Sequence, residues 1–276
     1  MDRPLKVAAV MYDPKVSVIW EIIRAFFESE RCPIDVAFYN TYERQVEGLL
    51  DRTVDIAWNS PLAWLDAQRQ SGGTCRAIAM RDTDRDRVSY FVARRDGPVK
   101  ILADLRNRTI ATGATDSPQA TLIPLGWLRQ NGLEPGVNVT VIPFDVLVGK
   151  HGDHVGGERD AFECLRRGEA ALCAMLDLNW DGWTKDGTID ADQFVMVGQT
   201  DRFDHCVFTV RQDLDPKAER RWLDALFAMR YDNPAHREVM DLEGLKAWLP
   251  GRTSGFGPLA AAVASERFFE RPASSR

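Results

Sequence analysis

Two of the four histidines, His151 and His154, stand with two carboxylates in the stretch Gly149-Lys150-His151-Gly152-Asp153-His154-Val155-Gly156-Gly157-Glu158. Neutral imidazole with carboxylate suits zinc, iron, nickel or manganese, and two histidines plus one carboxylate with open positions form a catalytic metal arrangement. His151, His154 and Glu158 are therefore candidate ligands for a divalent transition metal, the one cofactor the sequence raises. The competing reading is a solvated glycine-rich lid, because four glycines loosen the stretch and metal ligands usually need rigid support. Further on, the alternation Phe203, His205, Val207, Thr209 sets His205 on one strand face and Cys206 on the other. His205 reads as a buried, hydrogen-bonded histidine, as a residue completing a metal set, or as an acid/base group. Asp177, followed by Asn179, Trp180 and Trp183, is a second acid/base candidate. It could also hold a ligand amine or hydroxyl against aromatic walls, or simply end a strand beside core tryptophans.

Binding chemistry is written twice in the chain. Val54 to Trp58 leads into Asn59-Ser60-Pro61, and Thr109 to Ala111 leads, after a loop, into Asp116-Ser117-Pro118. Serine is a favoured N-cap and proline a favoured first helical residue, so Ser60 and Ser117 mark helix starts. A helix start presents unpaired N–H groups and the positive end of the dipole, which favour an anionic or strongly polar group. In parallel sheets such strand-to-helix turns line the ligand crevice. Either motif alone could be plain capping; the pair predicts a cleft that grips a small polar or anionic metabolite from two lobes.

The elements that would carry these residues alternate. Leu5 to Met11 reads as a buried strand, Val18 to Phe27 as a helix, Ile34 to Tyr39 as a strand and Tyr42 to Leu50 as a helix. Val54 to Trp58 is a strand, followed by a helix through Gln70. The pattern restarts with strands Val88 to Ala93 and Thr109 to Ala111, helix Pro118 to Gln130, strand Asn138 to Ile142, helix Arg159 to Arg167 and strand Ala170 to Leu176. Val207 to Val210 reads as the return strand, with helices Pro216 to Arg230 and Pro234 to Trp248 packing on the first lobe. This order predicts an α/β fold with largely parallel sheets, lobe one spanning 1–92 plus 208–276 and lobe two 93–207. Between them, Arg81 to Arg87 reads as a solvated charged connection.

Composition sets the class. The 276 residues are 45% hydrophobic and 28% charged, the proportions of a globular chain able to bury a large core. The 41 acidic against 35 basic residues give a net charge of -6 without a Lys/Arg block, which argues against a nucleic-acid partner. Membrane insertion is not expected, because apolar runs such as Leu259 to Ala264 fall far short of the ~18 residues of a span. Five scattered cysteines without a C-x-x-C pair point to reduced thiols. Met1 runs directly into the first strand without an h-region, so the expected location is cytoplasmic, or periplasmic if a leader has been removed.

The run Asp55-Ile56-Ala57-Trp58-Asn59-Ser60-Pro61-Leu62-Ala63 resembles the phosphate, phosphite and phosphonate solute-binding family of ABC importers. The segments Asp104 to Ala111, Asp160 to Ala170 and Arg211 to Pro216 are similar to that family's entry to its second lobe, its helix-Gly-strand element and its return to the first lobe. The resemblance implies a two-lobed type II periplasmic-binding-protein-like fold, each lobe a mainly parallel sheet flanked by helices, with two hinge strands. It implies ligand contacts at Tyr12, Asn59, Ser60, Tyr90, Thr115, Ser117, Gln119 and Asp177, and at Arg159, where the family often has histidine. It implies an ABC permease as partner if the chain is exported. Where the family has a cluster of small hydroxyls, this chain has Thr115-Asp116-Ser117, and Asp116 would repel a dianion. The leading reading is a binding protein for a small polar or anionic metabolite. The alternatives are an intracellular, metal-dependent enzyme using His151, His154 and Glu158 in the same cleft, and a cytoplasmic ligand sensor.

Overall fold

Leu5, Val7, Ala8, Ala9 and Val10 are buried, as a strand covered on both faces requires, and they form β1 (Leu5–Val10). α1 (Lys15–Ser29) turns Val16, Ile19, Trp20, Ile23, Phe26 and Phe27 inward at helical spacing. Next come β2 (Ile34–Tyr39), α2 (Tyr42–Leu50), β3 (Ile56–Asn59), α3 (Pro61–Gln70) and β4 (Arg76–Arg81). The chain continues through β5 (Ser89–Arg94), β6 (Arg108–Thr112), and a π-helical turn, Pro118–Leu122, that runs into α4 (Ile123–Gln130). β7 (Val139–Pro143), α5 (Gly157–Arg166), β8 (Leu172–Leu176), α6 (Asp177–Lys185) and β9 (Phe194–Gln199) follow. The last elements are β10 (Val207–Val210), α7 (Pro216–Phe227), α8 (Pro234–Leu242), β11 (Trp248–Pro250) and α9 (Gly257–Ser265). The structure is a computed structural model and describes residues 3–145 and 157–271.

The chain divides into a first unit, Met1–Arg85 with Asp204–Gly255, and a second, Asp86–Phe203 with Phe256–Arg276. The first unit holds a six-stranded sheet in the order β11-β4-β10-β3-β1-β2. β1 pairs in parallel with β2 and β3, and β10 inserts antiparallel between β3 and β4. Its core stacks Phe27 on Trp222 at 5.4 Å between ring centroids and sets Phe208 4.6 Å from Trp58. The second unit holds a five-stranded sheet, β7-β6-β8-β5-β9. β6 is parallel to β7 and β8, and β5 is antiparallel to β8 and β9. Alternate residues of β8 feed two cores, Cys173 and Met175 joining Phe162 on one face and Leu172 and Ala174 joining Phe91 on the other. Each sheet is thus mixed: the βα alternation supplies parallel pairs, and the strands after the two crossings, β5 and β10, run against them.

The unit boundaries differ from those read in the sequence, 1–92 plus 208–276 and 93–207. The bridge between Arg87 and Phe203 already belongs to the second unit, which moves the crossings to Arg85 and Asp204. The carboxyl-terminal segment joins the second unit because α9 packs on α4, where a Cβ on Gly126 would lie 2.8 Å from that of Ala262. The helix expected from Pro234 to Trp248 stops at Leu242, because Gly244 takes φ +67° and turns the chain into β11. The Arg81 to Arg87 segment is not uniformly solvated. Asp84 is 2% exposed, with Arg81 Nε 2.6 Å and Nη2 2.9 Å from its two oxygens, and Arg81 Nη1 also reaches Glu243 at 3.2 Å. Mutual charge satisfaction is what allows these groups to be buried.

Candidate functional site

In the first unit β3 ends at Asn59 and α3 begins at Pro61, with Ser60 extended between them and its Oγ accepting from Ala63 N at 3.1 Å. Asn59 is fully buried. Gln45 Nε2, from α2, donates both to the Trp58 carbonyl and to Asn59 Oδ1, each at 2.8 Å. Because a carbonyl can only accept, the Trp58 contact fixes the Gln45 amide, and Gln45 in turn fixes Asn59 with its oxygen inward. The Asn59 Nδ2 amide is left as a buried donor with no partner among the described residues. An unmet buried donor costs about 1–3 kcal/mol, and here it stands at a helix start, where backbone N–H groups and the dipole favour negative charge. Tyr12 is partly buried and packs against the core of the same unit.

The second unit builds a helix start of its own. Ser117 Oγ accepts from Ala120 N at 3.2 Å, and Ser89 Oγ donates to the Gln119 carbonyl at 2.5 Å, tying the turn to β5. Asp116, Ser117 and Gln119 are buried, while Thr115 is half-buried and donates its N–H to Asp145 at 2.7 Å. The hydroxyls of Thr112 and Thr121, both buried, have no partner among the described residues. A Cβ on Gly113 would meet that of Ala120 at 2.6 Å, so the turn closes tightly on the end of β6.

The remaining predicted residues lie elsewhere. Asp177 opens α6 and pairs with Arg87 at 3.2 Å; burial pushes its carboxyl up against the opposing pull of Arg87. Tyr90 meets Trp180 edge-on at 6.4 Å, and burial followed by the nearby carboxylates raises its phenol. Trp180 and Trp183 belong to a core of the second unit rather than to open walls. Arg159 is exposed on α5. Glu158 lies in the first turn of α5, where Oε1 accepts from Leu176 N at 2.7 Å and Oε2 from Asn179 Nδ2 at 2.6 Å, clamping α5 to the β8–α6 junction. His151 and His154 lie outside the described residues.

His205 and Cys206 do not take opposite strand faces. β10 begins only at Val207, so strand alternation does not govern them, and His205 Nδ1 lies 3.1 Å from Cys206 Sγ. The same nitrogen is 3.5 Å from Asp84 Oδ1, and the His205 N–H donates to the Asp84 carbonyl at 2.7 Å. Sequence reading missed Asp84, which pairs with nearby Arg81 but is buried beside His205 from a distant part of the chain. Burial opposes its charge, but Arg81 and His205 together hold the carboxyl at about 2, below its ordinary 3.8. A depressed carboxyl contributes stability that is complete above the unfolded value and lost as pH falls through the folded one. Urea unfolding followed from pH 5 to pH 2 is therefore expected to show a loss of about 2 kcal/mol from this group, concentrated below pH 4. A first-unit transition equally stable at both ends of that range would contradict the assignment.

Residues 12–256 match the family described as ABC transporter, phosphonate, periplasmic substrate-binding protein. Among solved structures, the chain is similar to PhnD1 from Prochlorococcus marinus in complex with methylphosphonate, with TM-score 0.68 and 15% identity, covering 95% of this chain and 98% of that one. A Xanthomonas citri protein bound to ATP aligns with TM-score 0.72 and 17% identity over 96% of this chain and 98% of its own. The periplasmic aliphatic sulphonate binding protein SsuA from Escherichia coli aligns with TM-score 0.56 and 14% identity over 99% and 84%. These likenesses establish the fold, that of the type II periplasmic binding proteins. An uncharacterized protein of Haemophilus influenzae is 58% identical over 31 residues, 11% of this chain, and the match spans 44% of that relative's length.

Proposed function

The chain belongs to the phosphonate substrate-binding family of ABC transporters, and from that premise we propose that it captures a small oxyanion and delivers it to an ABC permease. The observation that carries this reading is the Asn59 amide, a buried donor held at the start of α3 with no acceptor among the described residues. An oxyanion would meet that donor at the positive end of the α3 dipole. Each unit by itself carries a serine-capped helix start, at Ser60 and at Ser117, of the same chemistry. Binding needs no metal or cofactor, and members of this family normally use none.

Calorimetric titration with ethanesulfonate, methylphosphonate, inorganic phosphate and ATP tests the reading. At least one of ethanesulfonate, methylphosphonate and phosphate should bind one per chain and raise the melting temperature. Heats indistinguishable from dilution for all four would overturn oxyanion capture.

A further inference from the structure

Asp84, His205 and Cys206 bring three different donor types together at a place the oxyanion reading does not use. Asp84 lies at the end of the first segment of the first unit, and His205 and Cys206 lie at the start of its second. One donor atom from each lies within 4.8 Å of the others. Metal bonds of about 2.0–2.3 Å at tetrahedral angles set neighbouring donors about 3.4–3.6 Å apart. The observed edges, 3.1 Å from His205 Nδ1 to Cys206 Sγ and 3.5 Å from His205 Nδ1 to Asp84 Oδ1, lie within a few tenths of an ångström of that spacing.

The surroundings suit a cation despite the nearby guanidinium. Arg81 holds Asp84 through both oxygens, leaving Oδ1 also close to His205, the supporting arrangement that orients a ligating carboxylate. Its single positive charge is already outnumbered by the carboxylates of Asp84 and Glu243, which it contacts together. With Cys206 as thiolate, one divalent cation brings the cluster to neutrality. Cys206 and Asp84 are buried and His205 is 15% exposed, so the imidazole edge is the side open to solvent.

We propose that Asp84 Oδ1, His205 Nδ1 and Cys206 Sγ bind one thiophilic divalent transition metal of the zinc type, stapling the two chain segments that meet there. The sulfur–metal bond forms as the Cys206 thiol gives its proton to water. The hydrated ion gives up all but one of its waters to the three protein donors and the change to four-coordination, keeping that one in the fourth position, with no change of oxidation state.

Titration of the metal-free full chain with cobalt(II) tests this. One equivalent should develop a thiolate-to-cobalt charge-transfer band in the near ultraviolet with tetrahedral visible bands, both abolished by one equivalent of zinc(II). Cys206→Ser should lose the charge-transfer band, and His205→Ala should bind cobalt at least 10-fold more weakly. The double variant His151→Ala/His154→Ala should titrate like the parent. If Cys206→Ser fails to fold, His205→Ala carries the test. The proposal is overturned if the parent shows no charge-transfer band, if the band survives in Cys206→Ser, if His205→Ala titrates unchanged, or if the band is lost from the His151→Ala/His154→Ala protein.

Discussion

Replacing Gly251 with valine should destabilise the first unit by about 3 kcal/mol or more, because the added atoms would enter occupied backbone rather than adaptable side chains. A Cβ at Gly251 would lie 2.5 Å from the Ala77 carbonyl carbon, 2.5 Å from its oxygen and 2.6 Å from Ile78 N. That peptide is part of β4, which is hydrogen-bonded to β10 on one side and β11 on the other. Relief would have to come from moving β11 away, and the Gly251 N–H bond to the Ile78 carbonyl at 2.9 Å would break with it. Gly182, inside α6, is the counterexample, since nothing lies within 4 Å of the corresponding position. Gly182→Ala should be neutral or stabilise by up to about 1 kcal/mol through helix propensity alone. Urea unfolding followed by tryptophan fluorescence separates the two. A Gly251→Val protein as stable as the parent would show that β11 is not held against β4 as described.

The contrast between these glycines marks what the sequence can show. Ser60-Pro61 and Ser117-Pro118 announce helix starts because capping is local chemistry, written in adjacent residues. The pattern of βα alternation is equally local, and it placed β2, α2 and β10 at their observed bounds. β4 and β11 have no comparable local mark, and α9 opens on Pro258 but carries nothing local that says which unit it joins. β4 is a strand because β10 and β11 flank it, and α9 belongs to the second unit because Gly126 admits Ala262. The same limit governs the charged cluster. Arg81 and Asp84 look like a solvated pair until Glu243, distant in sequence, arrives beside Arg81. Likewise the helix start at Ser60 was legible, but the orphaned amide beside it was not. That amide depends on Gln45 reaching across from α2 to settle which way Asn59 points.

Asn59→Asp should abolish oxyanion binding, weakening ethanesulfonate or methylphosphonate by about 100-fold or more, while leaving the fold intact. The substitution changes the shape of the side chain little. Its retained oxygen still accepts from Gln45 Nε2, so the contact that orients the residue survives. Only the unpartnered donor changes, from an amide N–H that attracts an oxyanion to a carboxylate oxygen that repels it. Losing a charge-assisted hydrogen bond forfeits about 1.5–3 kcal/mol, and the repulsion between two anions at a buried position adds to it. Asn59→Ala removes the donor without adding charge, so its loss should be nearer 10-fold, and the difference between the variants measures the electrostatic part. Calorimetry on both proteins, with circular dichroism to verify folding, gives the comparison directly. An Asn59→Asp protein that is folded and binds as tightly as the parent would remove Asn59 from the binding site.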